Sequence, residues 1–263
     1  MNAANADHWH LRLFRRSVLK RAKLREIQRM LGPTQGLRCL DLGSDNGVVS
    51  WHLRKGGGRW ASADLAEEAV GSIRSLVGEE VYRVDGKTLP FPDREFDAVV
   101  VVDMLEHVED DRGLLREIGR VLRPGGTAIF NVPHAKRGAL LRPVRHALGL
   151  TDDWHGHLRP GYTAASLAVL LSGTGLSLVL SRTYSRFFTE LLDTALNVAY
   201  TKGGKSSSTT KGTIVTQDDM ARHRRAFRLY SAVWPAMWAV SNVDRLIGFT
   251  RGYMLIARAR KHL

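Results

Sequence analysis

Four aspartates punctuate the chain at the ends of apolar runs. Asp41 precedes the turn Gly43-Ser44-Asp45-Asn46-Gly47, Asp64 follows Trp60-Ala61-Ser62-Ala63, Asp85 stands before Gly86, and Asp103 closes Ala98-Val99-Val100-Val101-Val102. An ionised carboxylate only accepts hydrogen bonds, so such a set suits a ligand rich in hydroxyls and amines. Asp64 could take both hydroxyls of a ribose with Leu65 against a base, or could cap the helix beginning at Ala66-Glu67-Glu68. Asp85 could meet an exocyclic amine, or make an ordinary Asp-Gly turn. Gly43 and Gly47 allow positive φ and close approach of backbone to a ligand, while the following helix offers free N–H groups. His107, directly after Glu106, joins His134, His155 and His157 as candidate bases, because imidazole titrates near neutral pH.

Alternating elements must carry these residues. Strands are expected at Leu37–Leu42, Arg59–Ala63, Val81–Val84, Ala98–Val102, Thr127–Asn131, Leu176–Leu180 and Gly252–Ala257, with helices from about Val48, Ala66, Arg112 and Thr163. The alternation predicts an α/β fold with a doubly wound parallel sheet, and runs such as Val99–Val102 suit strands buried on both faces. In such a sheet ligands sit at the carboxyl ends of the strands, which is where the aspartates stand.

The longest informative stretch is Phe96-Asp97-Ala98-Val99-Val100-Val101-Val102-Asp103-Met104-Leu105-Glu106-His107-Val108, followed by Leu114-Leu115-Arg116-Glu117-Ile118-Gly119-Arg120-Val121-Leu122-Arg123-Pro124-Gly125-Gly126. With the earlier turn, it resembles the class I S-adenosylmethionine-dependent methyltransferases, and among them the ubiquinone-biosynthesis O-methyltransferases, over about Leu31 to Leu180. The resemblance implies a Rossmann-like sheet of seven strands with the last antiparallel. It places Asp41, Gly43, Ser44 and Gly47 around the methionine part of the cofactor and Asp64 on the ribose. Leu65, Asp85 and Gly86 would meet the adenine, and Asp103 would lie beside the cofactor. It also implies two readings of Asp103, Glu106 and His107: a site for Mg²⁺ or Zn²⁺ against a hydroxyl pair, or a hydrogen-bond network at a helix start. His155 and His157 precede the Thr163 helix, as a substrate-facing histidine does in similar proteins, and otherwise shape the loop. One departure stands out: Asp45 occupies a position where similar proteins have glycine. Aspartate tolerates left-handed backbone, and its side chain is expected to turn away or toward the cofactor's amino group.

Charge separates the segments. The chain carries +13 overall, yet Leu37 to Ala135 holds 12 basic and 17 acidic residues, so the excess lies in the flanks. Basic flanks suit an anionic partner, whether phospholipid, a phosphate-bearing substrate or nucleic acid. Residues 1–31 read as a basic amphipathic helix, broken once, that packs on the sheet or meets a membrane surface or anionic substrate. Residues 32–186 and 250–263 form the cofactor domain. Residues 187–249 form a helical insertion between strands six and seven that caps the substrate site, with helices at Thr189–Tyr200 and Gln217–Ala239 and a polar segment at Lys202–Gly212.

Cys39 is the single cysteine, which excludes an internal disulfide framework and favours a cytoplasmic setting, with or without contact at the inner face of a membrane. The uncharged runs Pro160–Ser181 and Leu229–Val243 are broken or too short to span a bilayer. The function expected is methyl transfer to an oxygen of a small hydrophobic or lipid-linked acceptor. The alternatives are a nucleic-acid methyltransferase, disfavoured by the missing Asn/Asp-Pro-Pro-aromatic motif, and a non-catalytic cofactor-binding scaffold at a membrane.

Overall fold

The computed structural model describes residues 9–135, 156–203, 224–244 and 251–263, with backbone alone for 196–203 and 224–230. His155, most of the polar Lys202–Gly212 segment and the start of the helix expected from Gln217 lie outside the described residues.

Seven strands form one sheet: β1 (Arg38–Leu42), β2 (Arg59–Asp64), β3 (Val81–Arg83), β4 (Phe96–Val102), β5 (Leu122–Pro133), β6 (Leu176–Tyr184) and β7 (Met254–Lys261). Their order is β3-β2-β1-β4-β5-β7-β6. β7 runs antiparallel to both its neighbours, and the other pairings are parallel. The chain winds outward from β1 in both directions, so the β1–β4 boundary is the switch point where a doubly wound sheet opens a crevice.

β4 shows why the sheet takes helices on both faces. Alternate side chains of a strand point oppositely: Val99 and Val101 join one buried cluster, Ala98, Val100 and Val102 the other. The first cluster is covered by α5 (Asp111–Val121) and α6 (Ala164–Leu171). The second is covered by α1 (Trp9–Arg15), α2 (Val18–Leu31) and α3 (Val48–Lys55), while α4 (Glu67–Val77) packs beside α3. Ser17 ends α1 and restarts the chain as α2, its hydroxyl accepting from the Lys20 N–H. Leu24, Ile27 and Met30 bury one face of α2, which at roughly 1.5–3 kcal/mol per large apolar side chain anchors the helix to the sheet. Cys39 sits in this core, where burial pushes its thiol up to about 12 and leaves it inert.

Between β6 and β7 lie α7 (Phe187–Gly203) and α8 (Arg224–Val243), which pack on each other and on α2. The Asp244 carboxylate accepts from the N–H groups of Arg186, Phe188 and Thr189, tying the end of α8 to the start of α7. β6 and β7 extend beyond the apolar runs that mark them in sequence. They pair from Leu176↔Lys261 to Tyr184↔Met254; the edge strand β6 admits Arg182, and β7 carries Arg258 and Arg260 beyond its apolar start, which is where a search for apolar runs stops.

Candidate functional site

The turn after β1 is built from behind. Asp41 is fully buried, its Oδ1 accepting from Ser44 Oγ (2.6 Å) and Ser50 Oγ (2.9 Å), its Oδ2 from Ser62 Oγ (2.7 Å) and Arg54 Nη1 (3.4 Å). With four protein donors on it, the carboxylate positions the turn and Ser44. The glycines are likewise required by the protein itself. A Cβ on Gly43 (φ +85°) would stand 2.3 Å from the Val102 carbonyl oxygen, and one on Gly47 (φ +76°) 2.7 Å from Ile73 Cα. Asp45 holds φ 53°, the left-handed conformation expected of it.

Asp64 is buried at the end of β2, Oδ2 accepting from Asp45 N–H and Oδ1 from Leu65 N–H. It is not the helix cap, since Ala66 holds that position. Asp85 is exposed and closes an Asp turn, accepting from the N–H groups of Lys87 and Thr88, which hold its pKa below the usual carboxylate range. The turn read from Asp85-Gly86 is therefore present, and it forms one wall of a pocket of about 560 Å³. Leu65, Asp85, Gly86, His107 and Val108 line it. A Cβ on Gly86 would reach within 3.2 Å of both Leu65 and Val108, so the glycine keeps an apolar slot open between them.

Asp103 stands at the carboxyl end of β4 with φ 43°. Its Oδ1 accepts from Asn131 Nδ2 at 2.7 Å, and its Oδ2 pairs with Lys23 of α2. Tyr184 donates to Asn131 Oδ1, extending the chain of contacts to β6. Burial opposes the charge on Lys23, but Asp103, with Glu106 and Asp45, outweighs it and raises the ammonium pKa. Lys20, three residues earlier and so on the same side of the helix, has its pKa lowered by burial, against the pull of Asp45, Asp103 and Asp193. The helix thus turns two cations inward, among the carboxylates, and Asp45 faces protein cations.

The metal set read from sequence needs correction. Asp103 is engaged by Lys23 and Asn131, and the structure instead brings Glu106, His107 and His157 together, with ligand atoms all within 4.8 Å of one another. Glu106 is fully buried, and the two imidazoles meet edge to face at 5.0 Å. His107 Nδ1 lies 2.9 Å from the Gly156 carbonyl oxygen and donates to it, which leaves Nε2 to face the site. The loop carrying His157 is clamped beneath β4: Arg159 donates to the carbonyls of Leu105 and Val108, and Tyr162 donates to Asp111. His134 is held elsewhere, its Nδ1 2.8 Å from the Gly252 carbonyl oxygen. Lys20, Lys23, Asn131 and Tyr184 are the site residues that the sequence reading missed. Only Asn131 carried a signal, as the one polar residue in Ile129-Phe130-Asn131-Val132.

Residues 40–130, which hold the turn and three of the four strand-end aspartates' partners, match the family model for a methyltransferase domain. Over these residues the chain carries a methyltransferase domain. Among the relatives of this chain, the ubiquinone biosynthesis O-methyltransferase of Bordetella avium is 30% identical over 157 residues, 55% of this chain and 65% of that protein. The demethylmenaquinone methyltransferase of Tropheryma whipplei is 31% identical over 104 residues, 38% of this chain and 44% of that one. The chain therefore spans less than two thirds of the length of these curated relatives. A S-adenosylmethionine-dependent methyltransferase from Mesorhizobium loti superposes with a TM-score of 0.55 at 18% identity, covering 91% of this chain and 96% of that one. At that identity the likeness is one of fold.

Proposed function

We propose that this methyltransferase moves the methyl group of S-adenosylmethionine to an oxygen of a small hydrophobic or lipid-linked acceptor. The observation that carries the reading is the slot between Leu65 and Val108, kept open by Gly86 beside Asp85. Its flat apolar walls and carboxylate rim fit an adenine, and Asp64 stands one residue from Leu65 for the ribose. The cofactor supplies a methyl on a positively charged sulfur, already activated for displacement.

The residues of the chain have two tasks: to align the acceptor oxygen and to take up its proton. His107 lines the slot and His157 meets its ring edge to face, so either imidazole can take the proton, with the buried Glu106 carboxylate to stabilise an imidazolium. The ubiquinone and demethylmenaquinone methyltransferases among the relatives of this chain favour a quinone-type ring as the acceptor. α7 and α8, packed on α2, are proposed to shape the acceptor cavity as a substrate cap. Among the described residues no helix is long and apolar enough to cross a membrane, so a lipid-linked acceptor would be met by peripheral contact.

A second reading assigns Glu106, His107 and His157 to a divalent metal. One carboxylate oxygen and two imidazole nitrogens suit Zn²⁺ better than Mg²⁺, which prefers oxygen, and bound there the metal would polarise an acceptor hydroxyl. Calorimetry of the full chain with S-adenosylhomocysteine, then turnover with catechol and polyprenyl-quinol acceptors, tests the function. Failure to bind either form of the cofactor would refute it. Activity retained after chelation and lost in His107→Ala favours the base over the metal.

A further inference from the structure

A second cavity lies apart from the adenine slot. It is a groove of about 350 Å³ between α2, the carboxyl end of β6 and the last turns of α8, and five arginines line it: Arg21, Arg25, Arg29, Arg182 and Arg186. Its two acids are already engaged. Glu26 lies 3.4 Å from Arg182, and the Asp244 carboxylate takes three backbone N–H groups at the start of α7. The cationic excess is therefore a property of the groove itself.

Arg21, Arg25 and Arg29 follow one another at four-residue spacing along one face of α2. Like charges at that spacing destabilise a helix, a cost that an anion bound between them would relieve. Arg182 and Arg186 line the groove from β6 and the segment that follows it, Arg182 paired with Glu26 and Arg186 donating to the Asp244 carbonyl, so arginines reach the groove from two elements. A planar carboxylate satisfies one bidentate fork, whereas a phosphoryl group presents several oxygens and can accept from forks on two sides. Trp238, 46% exposed, stands at the same groove.

We propose that this groove binds a phosphoryl group, either of a soluble phosphate or diphosphate ester or of a phospholipid headgroup. The site is distinct from the cofactor pocket but close to it. Tyr184 lines the groove and donates to Asn131, which in turn donates to Asp103. An anion held here would anchor a ligand beside the reacting end of β4.

The test uses the full chain, the double variant Arg25→Gln/Arg29→Gln, and a charge-matched control, Arg59→Gln/Arg116→Gln, at exposed positions elsewhere. Titration calorimetry with inorganic pyrophosphate is paired with flotation on phosphatidylglycerol–phosphatidylcholine vesicles and on phosphatidylcholine vesicles. Saturable pyrophosphate binding, weakened roughly tenfold or more in the groove variant alone and weakened by salt, supports a soluble phosphate ester. Flotation on the anionic vesicles alone, lost in the groove variant and kept in the control, supports a headgroup. Absence of both, or equal loss in the two variants, overturns the proposal. S-adenosylhomocysteine binding, measured in the same proteins, is expected to be unchanged in the groove variant, so failure of this site and failure of the methyl-transfer reading give different results.

Discussion

Lys23→Met separates two roles that α2 plays at once. The ammonium pairs with Asp103, and the two side chains are 13% and 33% exposed. Removing one member of a fully buried pair costs about 3–5 kcal/mol, because a charge is left without compensation. Here Asp103 keeps its hydrogen bond from Asn131 and a third of its surface in water, which reduces the expected loss to about 1–3 kcal/mol. Methionine preserves the apolar stem, and Leu24, Ile27 and Met30 stay buried, so α2 remains docked. For a chain of this size the loss corresponds to a Tm lower by roughly 2–5 °C in a thermal melt followed by circular dichroism. The second effect distinguishes ligands. S-adenosylmethionine carries a positive sulfur and S-adenosylhomocysteine does not, so a lysine facing the same space penalises only the former. Two cations separated by about 6–8 Å at an effective dielectric of about 40 repel by about 1 kcal/mol. Lys23→Met should therefore tighten S-adenosylmethionine relative to S-adenosylhomocysteine by roughly fivefold in calorimetry. An unchanged Tm, or an affinity ratio that does not move, refutes the account of Lys23 as a cation at the reacting centre.

Other consequences can be measured in the same way. Gly86→Ala places a methyl within 3.2 Å of Leu65 and Val108 at a position with φ +78°; S-adenosylhomocysteine affinity should fall roughly tenfold while the fold survives at a cost of about 1 kcal/mol. Asp45→Gly removes a left-handed non-glycine residue but also an anion facing Lys20. Cofactor binding should be equal or tighter, and a double-mutant cycle with Lys20→Met should give a coupling of about 0.5–1 kcal/mol; zero coupling would refute the pairing. His52 packs against Phe14 and Trp51, and burial, with Lys55 and Arg15 nearby, lowers its pKa to about 4. Because this lies below the unfolded value, the unfolded chain binds the extra proton as pH falls from about 6.5 to 4. Stability is then lost across that window, by about 2 kcal/mol after discounting for partial exposure. His52→Gln should flatten that part of the urea-denaturation pH profile.

The sheet could be read from sequence because each central strand is an apolar run followed by a polar break, and burial on both faces leaves little room for any other pattern. The positions of Asp64, Asp85 and Asp103 at strand ends followed from the same logic. Asp41 did not, since its donors come from Ser44, Ser50, Arg54 and Ser62, which belong to three different segments. Helical periodicity groups Lys20 with Lys23, yet it does not reveal that this face meets carboxylates, because the answer depends on where α2 lands on the sheet. His157 was a candidate, but its meeting with Glu106 and His107 depends on the clamp that Arg159 and Tyr162 apply to the loop. Asp45 was the clearest departure in the sequence, and its partners became visible only with α2 in place.

The position of β7 between β5 and β6 also constrains the order of assembly. β6 leaves the ribosome well before β7, some 70 residues later, and it has no hydrogen-bonding neighbour in the sheet until β7 arrives to pair with both it and β5. The strands β1 to β5 can zip together through short crossovers, but the remaining edge must wait for a long loop to close, which is a slow step because its entropy is lost before any contact is gained. Until then β5 and β6 each present an open edge, so nascent chains of this protein should depend on chaperone protection most during that interval.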